Sequence, residues 1–192
     1  AAIREPAKQW GPSEPCRRPR ACFSVGPVDM SGIKVLSLFS GLGGLDLGLE
    51  AAGFQSVGCV ELDELARRSL KANRGGLWPI LDPADVRLFA EKVTPRSLGM
   101  DPGELDLLAA APPCQPFSKA AQWNSQSRRG IDDERGNLVF SVIDVIARFK
   151  PKLVVLENVR GYVQGPESIL PLLRTAVGEL GRSKSLRYEL EH

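Results

Sequence analysis

Apolar and polar positions begin to alternate in a regular order at Ile33, and from there strands and helices take turns. Lys34 to Phe39 is a short apolar strand. Gly43 to Ala52 has helical spacing, with Leu45, Leu49 and Ala52 on one face, and Gly53 closes it. Gln55 to Val60 is a second strand that ends at Glu61. Leu62 to Asn73 is a second helix, with Leu62, Leu65, Ala66, Ser69 and Leu70 at core spacing. Residues 74 to 104 read as a Gly/Trp/Pro loop and a weak strand near Leu81. Helix or turns follow, broken by Pro95 and Pro102. Leu105 to Ala111 is a buried strand, followed by a long polar loop to about Gly136. Asn137 to Phe149 is then a helix, Lys152 to Leu156 a strand, Glu167 to Leu180 a helix, and Leu186 to Leu190 the start of another strand. Such alternation predicts an α/β fold, a mostly parallel sheet with helices on both faces. Ligands of these folds sit at the C-terminal ends of the strands.

Residues 1–30 break this order. They hold five prolines, the run Cys16-Arg-Arg-Pro-Arg20, and no helical or strand periodicity, so a disordered leader is expected there, ahead of one domain over 31–192. A basic DNA-binding arm is the alternative; so is upstream sequence translated ahead of a true start at Met30. The leader's five basic and three acidic side chains account for the whole net charge of +2. Beyond it the charges cancel, so bulk charge gives no argument for nucleic-acid binding. No apolar run approaches the roughly 20 residues of a membrane span. The four cysteines (Cys16, Cys22, Cys59, Cys114) form no C-x-x-C pair, which argues against a disulfide framework and a structural zinc site. The one histidine is His192, so chemistry that needs a histidine base is excluded for practical purposes.

The residues with chemical potential follow the strands. Phe39-Ser-Gly-Leu-Gly-Gly-Leu-Asp46 leaves the first strand, with Gly41 and Gly43 free to turn sharply beneath a ligand. Asp46 stands where a dinucleotide fingerprint has its third glycine, so a pyrophosphate has no cradle. An ordinary tight turn is the alternative reading of the glycines. Glu61, 20 residues after Gly41 at the end of the second strand, is placed to accept ribose hydroxyls. The two together suggest a nucleoside without a pyrophosphate, S-adenosylmethionine being the obvious member of that class. Asp85 is a candidate for the adenine amino group, or a surface carboxylate. Ala111-Pro-Pro-Cys-Gln-Pro-Phe-Ser118 follows a buried strand, and its prolines stiffen the exit that holds Cys114. Phe117 occupies the second cysteine position of a zinc deaminase motif, which removes that rival. Glu157 follows four apolar strand residues, where partial desolvation would let it carry a proton near neutrality. A helix cap or a surface carboxylate is the alternative.

In order, Phe39-Ser-Gly-Leu-Gly-Gly, Glu61, Asp85-Val86, Pro112-Pro-Cys-Gln-Pro-Phe-Ser118, Arg135-Gly136 and Glu157-Asn-Val159 resemble the first six motifs of the DNA cytosine-5 methyltransferase family. The resemblance covers about Lys34 to Val163 and implies a Rossmann-like methyltransferase fold that uses S-adenosylmethionine. It implies that the Cys114 thiolate attacks carbon 6 of a flipped-out cytosine in double-stranded DNA, while protonated Glu157 holds ring nitrogen 3. It further places Phe39 against the adenine, Glu61 on the ribose, Asp85 at the adenine amino group, and Pro112 and Leu138 along the cofactor pocket. Gln115, Ser118 and Asn158 become substrate contacts, and Lys119, Arg128 and Arg129 could meet phosphates. No metal and no membrane enter this reading, and a restriction-modification methylase in the cytoplasm, at the nucleoid, is the implied setting.

The family's Gln-Arg-x-Arg segment, target-recognition domain and last motif have no counterpart here. A fold incomplete at its C-terminal side is therefore expected, from a fragment or one subunit of a split enzyme whose second polypeptide supplies the rest. Two other readings stay open: a transfer-RNA cytosine-5 methyltransferase with the same motifs, and an inactive module that binds S-adenosylmethionine.

Overall fold

The computed structural model describes residues 32–113, 138–164, 168–184, 188, 189 and 191. The leader, Cys114, Gln115, Ser118, the rest of the 114–137 loop and Glu167 lie outside the described residues.

Four strands form one parallel sheet: β1 (Lys34–Leu38), β2 (Gln55–Val60), β3 (Leu107–Ala110) and β4 (Leu153–Leu156). Their order is β2-β1-β3-β4, with every pairing parallel. The chain moves outward to β2 on one side of β1 and to β3 and β4 on the other. The switch point where strand order reverses therefore falls between β1 and β3. Three stretches of turn signals become something more ordered than loops. Ile80 makes a parallel bridge with Cys59, Pro95–Leu98 is one 3-10 turn, and Pro102-Gly103 is a turn.

Side-chain alternation distributes the core over both faces. Leu36, Leu38, Val60, Leu108 and Ala110 point to one side, where α3 (Val86–Lys92) and α4 (Leu138–Phe149) cover them. Phe89 and Phe149, both fully buried, stack there with ring centroids 6.1 Å apart. Each such ring contributes about 2–3 kcal/mol by leaving water. Val35, Leu107 and Ala109 point to the other side, under Leu45 and Leu49 of α1 (Gly44–Ala51) and Phe54. Cys59 continues that face beneath Leu70 of α2 (Glu64–Arg74) and Trp78. α5 (Leu170–Lys184) packs beside α4 through a smaller cluster of Val139, Tyr162, Ile169 and Leu173. The expected α/β class, parallel sheet and two covered faces are all present.

Local chemistry sets the helix starts and corrects three expected core positions. The Asp63 side chain accepts the Ala66 N–H at 2.8 Å, so α2 begins at Glu64 and not at Leu62. Its buried stripe is then Ala66 and Leu70, and Leu62 (66% exposed) and Leu65 (70% exposed) face solvent. Ala52, expected on the buried face of α1, is exposed because the chain is already turning toward Gly53 (φ +94°) and Phe54 takes the core place. Of the strand expected over Leu186 to Leu190, the described residues Tyr188 and Glu189 lie in no strand. Tyr188 instead donates its hydroxyl to the Pro151 carbonyl at 2.6 Å.

β4 differs from the other strands. Val154 and Leu156 pack on the α3/α4 side, but Leu153 (57% exposed) and Val155 (38% exposed) lie on a face that no described element covers. Among the described residues no helix is long and apolar enough to cross a membrane.

Candidate cofactor and active site

Every functional candidate within the described residues lies at the C-terminal edge of the sheet. β1 ends at Phe39, whose φ of +58° is uncommon for a residue with a bulky side chain. Such a conformation costs on the order of 1–2 kcal/mol and persists only where its surroundings fix it. The strain turns the chain into Ser40-Gly41-Leu42-Gly43, where the Gly43 N–H bonds the Ser40 carbonyl at 2.8 Å. Gly41 (φ +55°) and Gly43 (φ +83°) both use the left-handed region. At Gly43 space is short as well, since an added Cβ would stand 2.7 Å from Trp78 Cζ3 and 2.8 Å from Leu70 Cδ2.

Glu61 ties this turn to the next strand. Its Oε2 accepts the Gly41 N–H at 2.7 Å and its Oε1 accepts the Asp63 N–H at 2.8 Å. Both donors are backbone groups that would otherwise point into solvent or ligand. The carboxylate is thus fixed at the strand end, with lone pairs left for further donors.

A cleft of about 610 Å³ opens beside it, lined by Phe39, Glu61, Asp85, Ala111, Pro113 and Leu138 among others. Four of the cofactor residues expected from sequence (Phe39, Glu61, Asp85, Leu138) therefore share one cavity. Gly41 reaches it through Glu61, and Gly43 lies behind the turn against Trp78. Pro112 is buried, and the next residue, Pro113, faces the cleft in its place. Leu62, displaced from the core, lines the cleft as well. Asp85 caps α3 by accepting the Arg87 N–H at 2.9 Å, and the Arg87 guanidinium grips the same carboxylate, Nη2 to Oδ2 at 2.7 Å. That partner holds the Asp85 carboxyl below its ordinary pKa, so it is an anion across the neutral range.

A second cavity of about 300 Å³ lies on the other side of Phe39 and includes Ser40, Ala111 and Glu157. The Glu157 N–H continues the β3–β4 ladder to the Ala110 carbonyl at 2.9 Å, which brings its carboxylate to the exit of β3. The desolvation expected for Glu157 is absent. Its side chain is exposed, because β4 buries only alternate residues and nothing described closes the cavity above it. Asn158 donates Nδ2–H to the Pro112 carbonyl at 2.8 Å, tying the β4 exit to the segment that leads into Cys114.

Sequence reading missed three elements of this edge. Pro113 and Arg67 are two of them, and the third is a buried polar group behind the glycine turn. Asp46 is 5% exposed, accepts from Cys59 Sγ at 3.5 Å, and has no partner for Oδ2 among the described residues. Burial raises the Asp46 pKa, and burial with the neighbouring carboxylate pushes the Cys59 thiol up to about 12. A carboxyl in place of the third glycine was visible in the sequence; that it turns inward was not.

The chemistry of the larger cleft fits a nucleoside. Four carboxylates (Glu61, Asp63, Glu64, Asp85) border it against one cation, Arg87, which Asp85 already holds. Such a lining suits hydroxyls, an exocyclic amine and a positive ligand, and opposes a pyrophosphate. Among the described residues no three His, Cys, Asp or Glu are grouped to bind a metal. A parallel α/β sheet with this cleft at its switch point defines the Rossmann-like fold of S-adenosylmethionine-dependent methyltransferases.

Comparison with known proteins narrows that class. Residues 33–178 match the model of the C-5 cytosine-specific DNA methylases, and the chain belongs to that family. It is 38% identical over 130 residues to the type II methyltransferase M.AquIA of Picosynechococcus, a match spanning 68% of this chain and 50% of the relative. Identity is 33% over 159 residues to M.HpaII of Haemophilus parainfluenzae (83% of this chain, 38% of the relative). With M.HhaI of Haemophilus parahaemolyticus it is 30% over 162 residues, 84% of this chain and 44% of the relative. The chain thus spans about half, or less, of the length of these relatives.

Proposed function

We propose that the chain forms the cofactor-binding and catalytic part of a restriction-modification enzyme that methylates carbon 5 of cytosine in double-stranded DNA. The observation that carries this reading is the joint placement of Glu61, Phe39, Asp85 and Leu138 in one acidic cleft beside the Pro112-Pro113 exit. S-adenosylmethionine fits that lining, and when bound it supplies a methyl group activated by a sulfonium. Glu61 holds the ribose hydroxyls, Asp85 accepts from the adenine amine, and Phe39 and Leu138 cover the rings.

Cys114 is the nucleophile. Its thiolate adds to carbon 6 of a cytosine turned out of the duplex, forming a carbon–sulfur bond and moving electron density to carbon 5 and ring nitrogen 3. Glu157 donates a proton to nitrogen 3 as charge arrives there. Its present exposure supports a division of labour in which the incoming base supplies the desolvation that raises its pKa. Asn158 keeps the Pro112 carbonyl, and so the start of the Cys114 loop, at a fixed distance from β4. Gln115 and Ser118 contact the DNA from the same loop. After methyl transfer, loss of the carbon 5 proton and expulsion of the Cys114 thiolate restore the aromatic ring. The protein works in the cytoplasm, at the nucleoid.

One observation favours a further component. Leu153 and Val155 form an exposed apolar row on β4, beside a cavity of about 630 Å³ lined by Ile143, Ile146, Leu156, Tyr162 and Leu173 among others. Such an edge accepts another strand, from the remainder of the same chain or from a second polypeptide that carries target recognition.

The test is a trap. The chain is incubated with S-adenosylmethionine and duplex DNA containing 5-fluorocytosine, alone and with a C-terminal half from a relative. A denaturation-resistant adduct, absent from Cys114→Ser, is the expected result. Preference for transfer RNA over duplex DNA would redirect the reading to an RNA enzyme. No adduct under either condition refutes the catalytic reading and leaves a binding module.

A further inference from the structure

Arg67 sits on α2, behind the cleft and outside its lining, with 18% of its side chain exposed. Its Nη1 donates to two main-chain carbonyls, Glu61 at 3.3 Å and Leu81 at 3.2 Å. Its Nη2 pairs with Asp82 Oδ1 at 2.9 Å. The two carbonyls belong to different loops. Glu61 begins the loop after β2, and Leu81-Asp82 begins the loop that ends at Asp85. The Glu61 side chain carries the connection onward to the Gly41 N–H at 2.7 Å.

One guanidinium therefore joins the three loops that shape the nucleoside end of the cleft. We propose that Arg67 is a positioning residue for the cofactor, setting the separation between the ribose carboxylate Glu61 and the adenine carboxylate Asp85. This rests on reading the cleft as a cofactor site.

Physical reasons favour Arg67 over a general structural role. Its planar fork serves several acceptors at once, which a lysine ammonium on a flexible stem does less well. Hydrogen bonds from a charged donor in a half-buried setting are stronger than neutral ones. Asp82 is 76% exposed, so its contribution is to orient the guanidinium, with the carbonyl contacts carrying most of the effect. Core packing on α2 belongs to Ala66 and Leu70, whose contacts lie on the sheet side.

The experiment measures binding of S-adenosylhomocysteine and of adenosine to the full chain by calorimetry, below the melting temperature of each variant. Wild type is compared with Arg67→Ala, Arg67→Lys, Asp82→Asn and the Arg67→Ala/Asp82→Asn pair. Arg67→Ala is expected to weaken both ligands by the same factor, roughly 10-fold or more, since the tether touches only the nucleoside end. Arg67→Lys should recover part of the loss. Asp82→Asn should cost roughly 2- to 3-fold alone and nothing further on top of Arg67→Ala. Equal affinity in wild type and Arg67→Ala overturns the assignment while leaving the cofactor site standing. Should Arg67→Ala fail to fold, unchanged affinity in both Arg67→Lys and Asp82→Asn overturns it equally. A wild-type chain that binds neither ligand removes the cofactor reading and the Arg67 assignment with it.

Discussion

Three successive glycine positions in the β1–α1 turn face different physical demands, and replacing each by alanine should separate them. Gly43→Ala is the severe change. At φ +83° a side chain costs on the order of 1–2 kcal/mol. The new Cβ would also stand 2.7 Å from Trp78 Cζ3 and 2.8 Å from Leu70 Cδ2, both inside the core. Forcing a methyl into such a site costs a further ~1–3 kcal/mol. The sum is about 2–5 kcal/mol, which for a domain of this size lowers the melting temperature by roughly 5–15 °C. Gly41→Ala has φ +55° and open space around the added carbon, so only strain applies, about 1 kcal/mol. Gly44→Ala begins α1 with ordinary φ and no neighbour within 4 Å, and should gain about 0.5–1 kcal/mol from helix propensity. Urea unfolding of the three variants, checked by thermal melting, gives the order directly. If Gly43→Ala lost no more than Gly41→Ala, the close approach of α2 and Trp78 to the turn would not be what selects glycine there.

Two further outcomes concern the buried polar pair behind the turn. Burial raises the Asp46 pKa above its unfolded value, so the folded chain keeps a proton there that the unfolded chain releases. That contribution favours folding at pH below the unfolded pKa of 3.8 and is lost as pH rises through the folded value. Asp46→Asn should therefore gain on wild type progressively from pH 4 to 7 in urea titrations, and parallel curves would refute the protonation. Cys59 is fully buried with its thiol raised to about 12, so it should resist alkylation at pH 8 in the folded state. In a Cys16/Cys22/Cys114→Ser background, iodoacetamide should label this thiol only as fast as the chain opens, read by mass spectrometry.

Much of this edge was legible because strands and their last residues announce themselves. Gln55 to Val60 runs as the apolar pattern predicts, and the cofactor candidates Phe39, Glu61 and Asp85 stand directly after strands or at a helix cap. Legibility failed where a position depends on something distant in sequence. Leu62 and Leu65 have core spacing, but the Asp63 cap rotates α2 so that neither meets the sheet. Trp78, read as part of a loop, closes the core because its ring packs where Gly43 leaves no Cβ. Arg67 looks like any helical surface cation until the Glu61 and Leu81 carbonyls are seen within its reach. Glu157 showed the opposite failure, since its apolar neighbours promised a burial that the edge position of β4 does not provide.

Glu61 has a consequence that reaches beyond its proposed contact with a ribose. Both its oxygens already accept backbone N–H groups, so the same carboxylate is a strut of the unliganded fold. A glutamine would turn an amide N–H toward one of those donors, setting two donors face to face. Drift at this position is thereby blocked twice, once by the architecture and once by the ligand. A chain that had lost its catalytic partner residues would still have reason to keep Glu61, and with it a pocket of the ancestral shape. Persistence of the cleft alone is weaker testimony to a working enzyme than persistence of Cys114.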